Sequence, residues 1–249
     1  MYLSEQSRNL TSFCSSVYLA IGLPTVQRAE KEYLFETLSS LLSKSSKEEQ
    51  ETFTIIVMLA DRSAAYNQDV LRRIRLFYPD QLQSGVIQVV LGPDMEFIFR
   101  EEPSKLTFND SVERVRWRSK QNLDYAALME YSAKTARYYI QLEDDIQPVD
   151  RYFSDIRDFV DNNTFQDSSW ARLDMYPNGP IGKVFKSAVL PKLAAVLRAY
   201  HQDKPYDYLM RQFHSHVRGY RLRYRHIMFL HQGRNSSLTG VTREIDKLV

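Results

Sequence analysis

Short, nearly continuous apolar runs alternate with longer stretches whose apolar positions recur every three or four residues. Val17 to Leu23, Phe53 to Ala60, Val86 to Leu91 and Tyr138 to Leu142 are runs of the first kind. Continuous hydrophobicity over five to eight residues predicts strands covered on both faces. Pro24-Thr25 closes the first run and Gly92-Pro93 the third, as chain breakers do. Between them, residues 29–44 place Tyr33, Leu34, Leu38, Leu41 and Leu42 on one helical face, and residues 64–78 do the same with Val70, Leu71, Ile74 and Phe77. Residues 94–109 lack either period and read as an irregular loop of the kind that lies over a site. A helix over 110–135 follows. The later half predicts a helix at 150–161, a strand near 169–175, a helix at 187–202, a short helix opened by Pro205 and a last strand over 220–230. Strand–helix alternation through the first 145 residues predicts an α/β fold with a Rossmann-like, mostly parallel sheet flanked by helices. One domain spans residues 16–249, after a polar, loose arm over 1–15.

Such sheets bind ligands beyond the carboxyl ends of their strands. Thr25, Asp61 and the triplet Glu143-Asp144-Asp145 all fall there. Three adjacent carboxylates repel one another and are costly to desolvate. A hard cation such as Mg²⁺ or Mn²⁺ relieves both problems and commonly bridges to phosphates. In an extended backbone Glu143 and Asp145 share one side and Asp144 faces the other. A solvated acidic turn is the competing account. The chain has 8 glycines, and they form neither a dinucleotide fingerprint nor a P-loop. If a nucleotide binds, its phosphates are therefore held by a metal and by basic side chains.

Composition narrows the classes. With 249 residues the chain can bury a substantial core. A formal charge of +2, from 33 basic against 31 acidic residues, gives no mandate for nucleic acid. Arg221, Arg223 and Arg225 alternate along the last strand and read as a solvated face, the alternative being a surface for an anionic partner. Cys14 is the single cysteine, so no internal disulfide forms. No run is long enough to span a bilayer, and no signal peptide opens the chain. The chain is then either cytoplasmic or lacks its targeting segment. Sequons at Asn9, Asn109, Asn162 and Asn235 are short motifs of little weight.

The stretch from Glu113 to Tyr125, reading Glu-Arg-Val-Arg-Trp-Arg-Ser-Lys-Gln-Asn-Leu-Asp-Tyr, is long and idiosyncratic, as is Tyr138 to Ile146. Together with Gly22-Leu23-Pro24-Thr25-Val26-Gln27-Arg28, Ile181 to Ser187, Asp203 to Tyr208 and Phe229-Leu230-His231-Gln232-Gly233 followed by Ser236-Ser237-Leu238, it resembles the N-acetylglucosaminyltransferase IV family. These are the alpha-1,3-mannosyl-glycoprotein 4-beta-N-acetylglucosaminyltransferases. The resemblance implies a GT-A-type fold, a UDP-GlcNAc donor, Mn²⁺ (or Mg²⁺), and inverting β1,4 transfer to a mannose of an N-glycan acceptor in the Golgi lumen. Family members carry a membrane anchor and stem before this region and a lectin-like domain after it; neither is found here. A cysteine-bearing insertion is reduced to about residues 214–220, and the usual Phe-Gln-His-Val-Gly reads Phe-Leu-His-Gln-Gly. The missing flanking modules motivate a second reading, a catalytically silent relative that binds and regulates another glycosyltransferase.

Residue by residue, the resemblance makes Asp145 a metal ligand, with Glu143 and Asp144 touching sugar, ribose or metal-bound water. His231 either completes the metal or diphosphate shell or is a structural histidine. Asp207, in a helix's first turn, is either the catalytic base or a helix-dipole partner. Asp174, at a strand end, is the rival base or an acceptor-binding acid. Arg114, Arg118 and Gln121 share one helix face and Arg116 with Lys120 another, so only one face can reach a diphosphate. Arg28 and Thr25 are donor contacts, and Asp61 accepts from uracil or ribose.

Overall fold

The computed structural model describes residues 17–233 apart from 178, 217 and 218. The expected arm over 1–15, Cys14, Asn9, Asn235 and the matched Ser236-Ser237-Leu238 lie outside them. In chain order the elements are β1 (Leu19–Thr25), α1 (Leu34–Ser43), α2 (Lys47–Gln50), β2 (Phe53–Leu59), α3 (Ala64–Phe77), α4 (Pro79–Ser84), β3 (Ile87–Leu91), α5 (Glu96–Arg100) and α6 (Val112–Ser132). Then come β4 (Tyr138–Gln141), β5 (Ile146–Pro148), α7 (Tyr152–Gln166), β6 (Arg172–Asp174), β7 (Lys183–Lys186), α8 (Leu190–Ala199), α9 (Tyr206–His216), β8 (Arg221–Arg223) and β9 (Phe229–His231).

Seven strands form one sheet in the order β3-β2-β1-β4-β7-β6-β8, and β5 pairs with β9 in a second ladder. The first four are parallel; β7 runs antiparallel to both β4 and β6. This is a Rossmann-like α/β layout, parallel through β3-β2-β1-β4. Period-2 alternation splits the core into two layers. Leu19, Ile21 and Leu23 of β1 face the layer that holds α1 and α7, while Ala20, Ile56, Met58 and Tyr139 face α6, α8 and α9. Gly22 is required where it stands. A side chain there would lie 2.6 Å from the Tyr139 ring, whose hydroxyl donates to Gln141 at 2.5 Å.

The strand expected to stop before Pro24 runs on through Thr25. Gly22 gives its carbonyl to Leu142, and Thr25 gives its carbonyl to Ala60 on the other side. Residues 22 and 24 therefore face β4, and at Pro24 β4 has already ended, so the missing N–H breaks no ladder bond. Helix α1 begins five residues later than expected, because residues 26–33 form a loop that carries Arg28 back to the triplet. The irregular stretch 94–109 contains α5, whose Ile98 packs with Met95 and Leu123. Strand β7 falls between the strand expected near 169–175 and the helix expected at 187–202, where the sequence pattern assigns no element. The single last strand is corrected to two: β8 joins β6 and β9 joins β5, with a turn between. Among the described residues no helix is long and apolar enough to cross a membrane.

Candidate active site

Strand β4 ends at Gln141, and the triplet occupies a turn rather than a continued strand. Two devices hold that turn. Thr37 of α1 accepts from the Ile146 N–H at 3.2 Å and donates to the Asp144 carbonyl at 2.7 Å. Beyond the turn β5 pairs antiparallel with β9 in a register that sets Ile146 opposite His231, and the Gln232 N–H donates to the Asp145 carbonyl at 2.7 Å. A residue 86 positions downstream is thereby delivered to the acidic turn.

The side chains then divide as alternation predicts. Asp144 turns toward β1, where Thr25 Oγ1 donates to it at 2.6 Å and Arg28 pairs with it at 2.5 Å. Asp145 lies 3.0 Å from Arg28 and 3.2 Å from His231 Nε2, while Glu143 Oε2 lies 3.7 Å from the same nitrogen. Ligand atoms of Glu143, Asp145 and His231 all fall within 4.8 Å of one another. Two carboxylates and an imidazole are a donor set for Mn²⁺ or a similar divalent ion. Burial raises the Asp144 carboxyl above its usual range, against the pull of Arg28. Burial works to lower the Arg28 pKa, and Asp144 with Asp145 reverses the sign, so the guanidinium stays charged.

Helix α6 reaches the triplet through Tyr125. Its hydroxyl donates to Glu143 at 3.3 Å and accepts from Gln121 at 3.3 Å. Burial, with Glu143 next, pushes the phenol well above its ordinary value, so it remains a donor. The Tyr125 ring meets Tyr206 edge-on at 4.9 Å, and Tyr206 is followed by Asp207 in the first turn of α9. Solvent reaches Asp207, yet its crowded surroundings raise the carboxyl above the usual range, opposed by Lys183, Arg211 and Arg172.

Other candidates are placed elsewhere. Asp174 is fully enclosed: Arg172 is 2.7 Å, Arg221 2.5 Å and Lys183 4.0 Å from it. Arg221 thus belongs to a buried charge cluster and not only to a solvated strand face. Arg118 is 1% exposed and spends its donors on Thr107, Asp110 and the Gln202 carbonyl at 2.8 Å. Arg114 stacks over Trp117 at 4.6 Å. Lys120 pairs with Asp124 at 2.5 Å. Asp61 accepts from the Gln27 and Ser63 N–H groups, which ties the Arg28 loop to the start of α3. Thr37 and Tyr125 were not foreseen. Tyr125 closes the distinctive stretch that opens at Glu113; Thr37, a lone polar residue on an apolar helix face, was the available signal for its role.

Residues 11–247 match the MGAT4 conserved region, nearly the full chain. The chain belongs to this family. Its MGAT4 relatives include "Alpha-1,3-mannosyl-glycoprotein 4-beta-N-acetylglucosaminyltransferase B" of Danio rerio, 32% identical over 93% of this chain and 44% of that protein. "Alpha-1,6-mannosyl-glycoprotein 4-beta-N-acetylglucosaminyltransferase" of Gallus gallus is 34% identical over 92% of this chain and 49% of that one. The chain spans about half the length of the curated MGAT4 relatives it matches. Among solved structures, S. aureus TarS in complex with UDP-GlcNAc overlaps 84% of this chain and 59% of its own, with a TM-score of 0.42 and 12% identity.

Proposed function

We propose that this MGAT4 chain is an inverting transferase that moves N-acetylglucosamine from UDP-GlcNAc to a mannose of an N-glycan in β1,4 linkage. The convergence of Glu143, Asp145 and His231 in a family member is the observation that carries the reading. These three residues would hold a divalent ion, Mn²⁺ or Mg²⁺, which when bound would supply positive charge for a departing diphosphate. Asp144, fixed by Thr25 and Arg28, sets the turn in which the ligands stand. Asp61 steadies the Arg28 loop, and Gln121 acts on Glu143 through Tyr125. Arg114 and Arg118 take structural roles on α6 rather than binding the diphosphate.

Asp207 is the base. It takes the proton of the mannose hydroxyl as that oxygen attacks the donor's anomeric carbon. The bond from that carbon to the UDP oxygen breaks on the opposite face, and the configuration inverts. Its raised carboxyl suits proton abstraction, and it stands beside Tyr206, whose ring contacts the residue that holds Glu143. Asp174, closed off by three cations, is the counter-charge of a buried cluster. The names of the relatives support the donor sugar, the linkage and a mannosyl-glycoprotein acceptor, and family resemblance supports a Golgi setting. The relatives differ over the α1,3 and α1,6 arms at nearly equal identity, so acceptors carrying each arm belong in the test. UDP release with Mn²⁺ and mannose-terminated N-glycans is expected, and Asp145→Asn is expected to abolish it together with metal-dependent UDP binding. Absence of both turnover and UDP binding in the unaltered chain overturns the reading.

A further inference from the structure

We propose that Phe108 and Tyr208 form a stacking platform for a neutral pyranose ring of the acceptor glycan. The proposal rests on the transferase reading above. The two rings come from segments 100 residues apart, lie 4.8 Å centroid to centroid with a 53° tilt, and remain 49% and 47% exposed. Tyr208 follows Asp207 in the first turn of α9, and Arg211 links the two: it lies 5.7 Å from the Tyr208 ring and its charge acts on the Asp207 carboxyl. A pyranose has a face of C–H groups with partial positive charge, and an aromatic face carries the complementary negative quadrupole.

The backbone under Phe108 is what makes this a built feature. Phe108 and Asn109 both adopt left-handed conformations, with φ of 62° and 56°. Asn tolerates that region, whereas Phe gains nothing locally from it, and such strain persists only where surrounding contacts impose it. Here they do. The fully buried Arg118 donates to Thr107 Oγ1 at 2.5 Å, pairs with Asp110 and donates to the Gln202 carbonyl, while Thr107 donates to the Asp203 carbonyl at 2.6 Å. Ser104 adds a bond to Gln202 at 3.0 Å. The loop before α6 is thereby locked to the turn before α9. Arg118 also lies 5.6 Å over the Phe108 ring. Burying a charge with so many partners is a costly way to hold a surface loop. What it holds is one strained residue whose exposed ring packs on Tyr208, the residue after Asp207.

The test is calorimetric titration with a mannose-terminated N-glycan oligosaccharide in the presence of UDP and Mn²⁺, alongside acceptor kinetics. Phe108→Ala and Tyr208→Ala are each expected to weaken glycan binding and raise acceptor KM about tenfold, and Phe108→Tyr to retain both values. UDP affinity and melting temperature stay at wild-type values. Glycan affinity and acceptor KM within twofold of wild type in both alanine variants overturn the platform, as does a parallel loss of UDP affinity in both. An unaltered chain that binds no glycan overturns it too. Ring-dependent glycan binding without transfer to any N-glycan acceptor would support the platform and sink the transferase reading instead.

Discussion

Gly233→Ala adds one methyl group, and the structure says where it goes. A Cβ on residue 233 would stand 2.8 Å from Asp145 Cγ, closer still to Oδ2, and 3.2 Å from Asp145 Cβ. Asp145 is 1% exposed and its Oδ2 is held by Arg28 at 3.0 Å and His231 at 3.2 Å. Two escapes exist. The carboxylate can rotate, which gives up charged contacts of about 1.5–3 kcal/mol in a buried site. Alternatively the chain after β9 can shift, which loses the 2.7 Å bond from Gln232 to Asp145 and strains a three-residue ladder. Overpacking alone costs about 1–3 kcal/mol, so a loss of roughly 3 kcal/mol is expected. For a domain of this size that lowers Tm by roughly 6–12 °C. Since the same carboxylate is a proposed metal ligand, Mn²⁺ affinity is expected to fall about 100-fold. Thermal unfolding with and without Mn²⁺ reads both effects. Wild-type Tm together with wild-type Mn²⁺ stabilisation would refute the assignment of Asp145 to the metal.

Asp207→Asn is expected to keep UDP binding and lose transfer by about 10²–10⁴-fold; loss of UDP binding as well, in a single-turnover and titration pair, removes Asp207 from the role of base. Arg28→Met strips the cation shared by Asp144 and Asp145, and breaking a buried pair from one side costs about 3–5 kcal/mol. Denaturant unfolding should show that loss without divalent ions and partial recovery with Mn²⁺, and no destabilisation would mean the pairing is incidental. Lys183 is the pH-sensitive case: burial outweighs Asp174 and lowers its ammonium to about 8 from 10.5. Because the folded pKa is depressed, stability is at its fullest above 10.5 and falls as pH drops to about 8, below which it levels out. Relative to Lys183→Met, the wild type should therefore gain up to roughly 3 kcal/mol from pH 7.5 to 10.5; parallel stability curves would contradict the burial of a titrating amine.

Periodicity was legible where an element was long enough to show it. β1, β2 and β4 carry nearly continuous apolar runs because both sheet faces are covered, β3 keeps such a run at the sheet edge although most of it is only partly buried, and α1 and α3 carry stripes because only one face of each is covered. The triplet's division also followed from side-chain alternation, though the backbone there is a turn. What escaped was three or four residues long or depended on distant chain. β5, β8 and β9 have three residues each, too few to display a period. β7, reading Lys183-Val184-Phe185-Lys186, is too short to separate from the helix that follows. Arg118 shares a helical face with Arg114, yet a helical wheel cannot say that residues 104–110 and 202–203 will close over one of them. Asp174 looked like Asp145, an acid at a strand end. Its three cations come from β6, β7 and β8, partners that no local pattern announces.

The β5–β9 ladder has a consequence for the order of assembly. The four parallel strands, with the carboxylates of the triplet, are complete by residue 145, whereas His231 arrives with the last described strand. A chain emerging from the ribosome can therefore bury most of its sheet while the proposed cation site still lacks the imidazole, and closing that long loop adds its own entropic barrier. On the proposed reading, ion affinity is acquired last: a chain clipped before β9 keeps its four parallel strands and loses the imidazole.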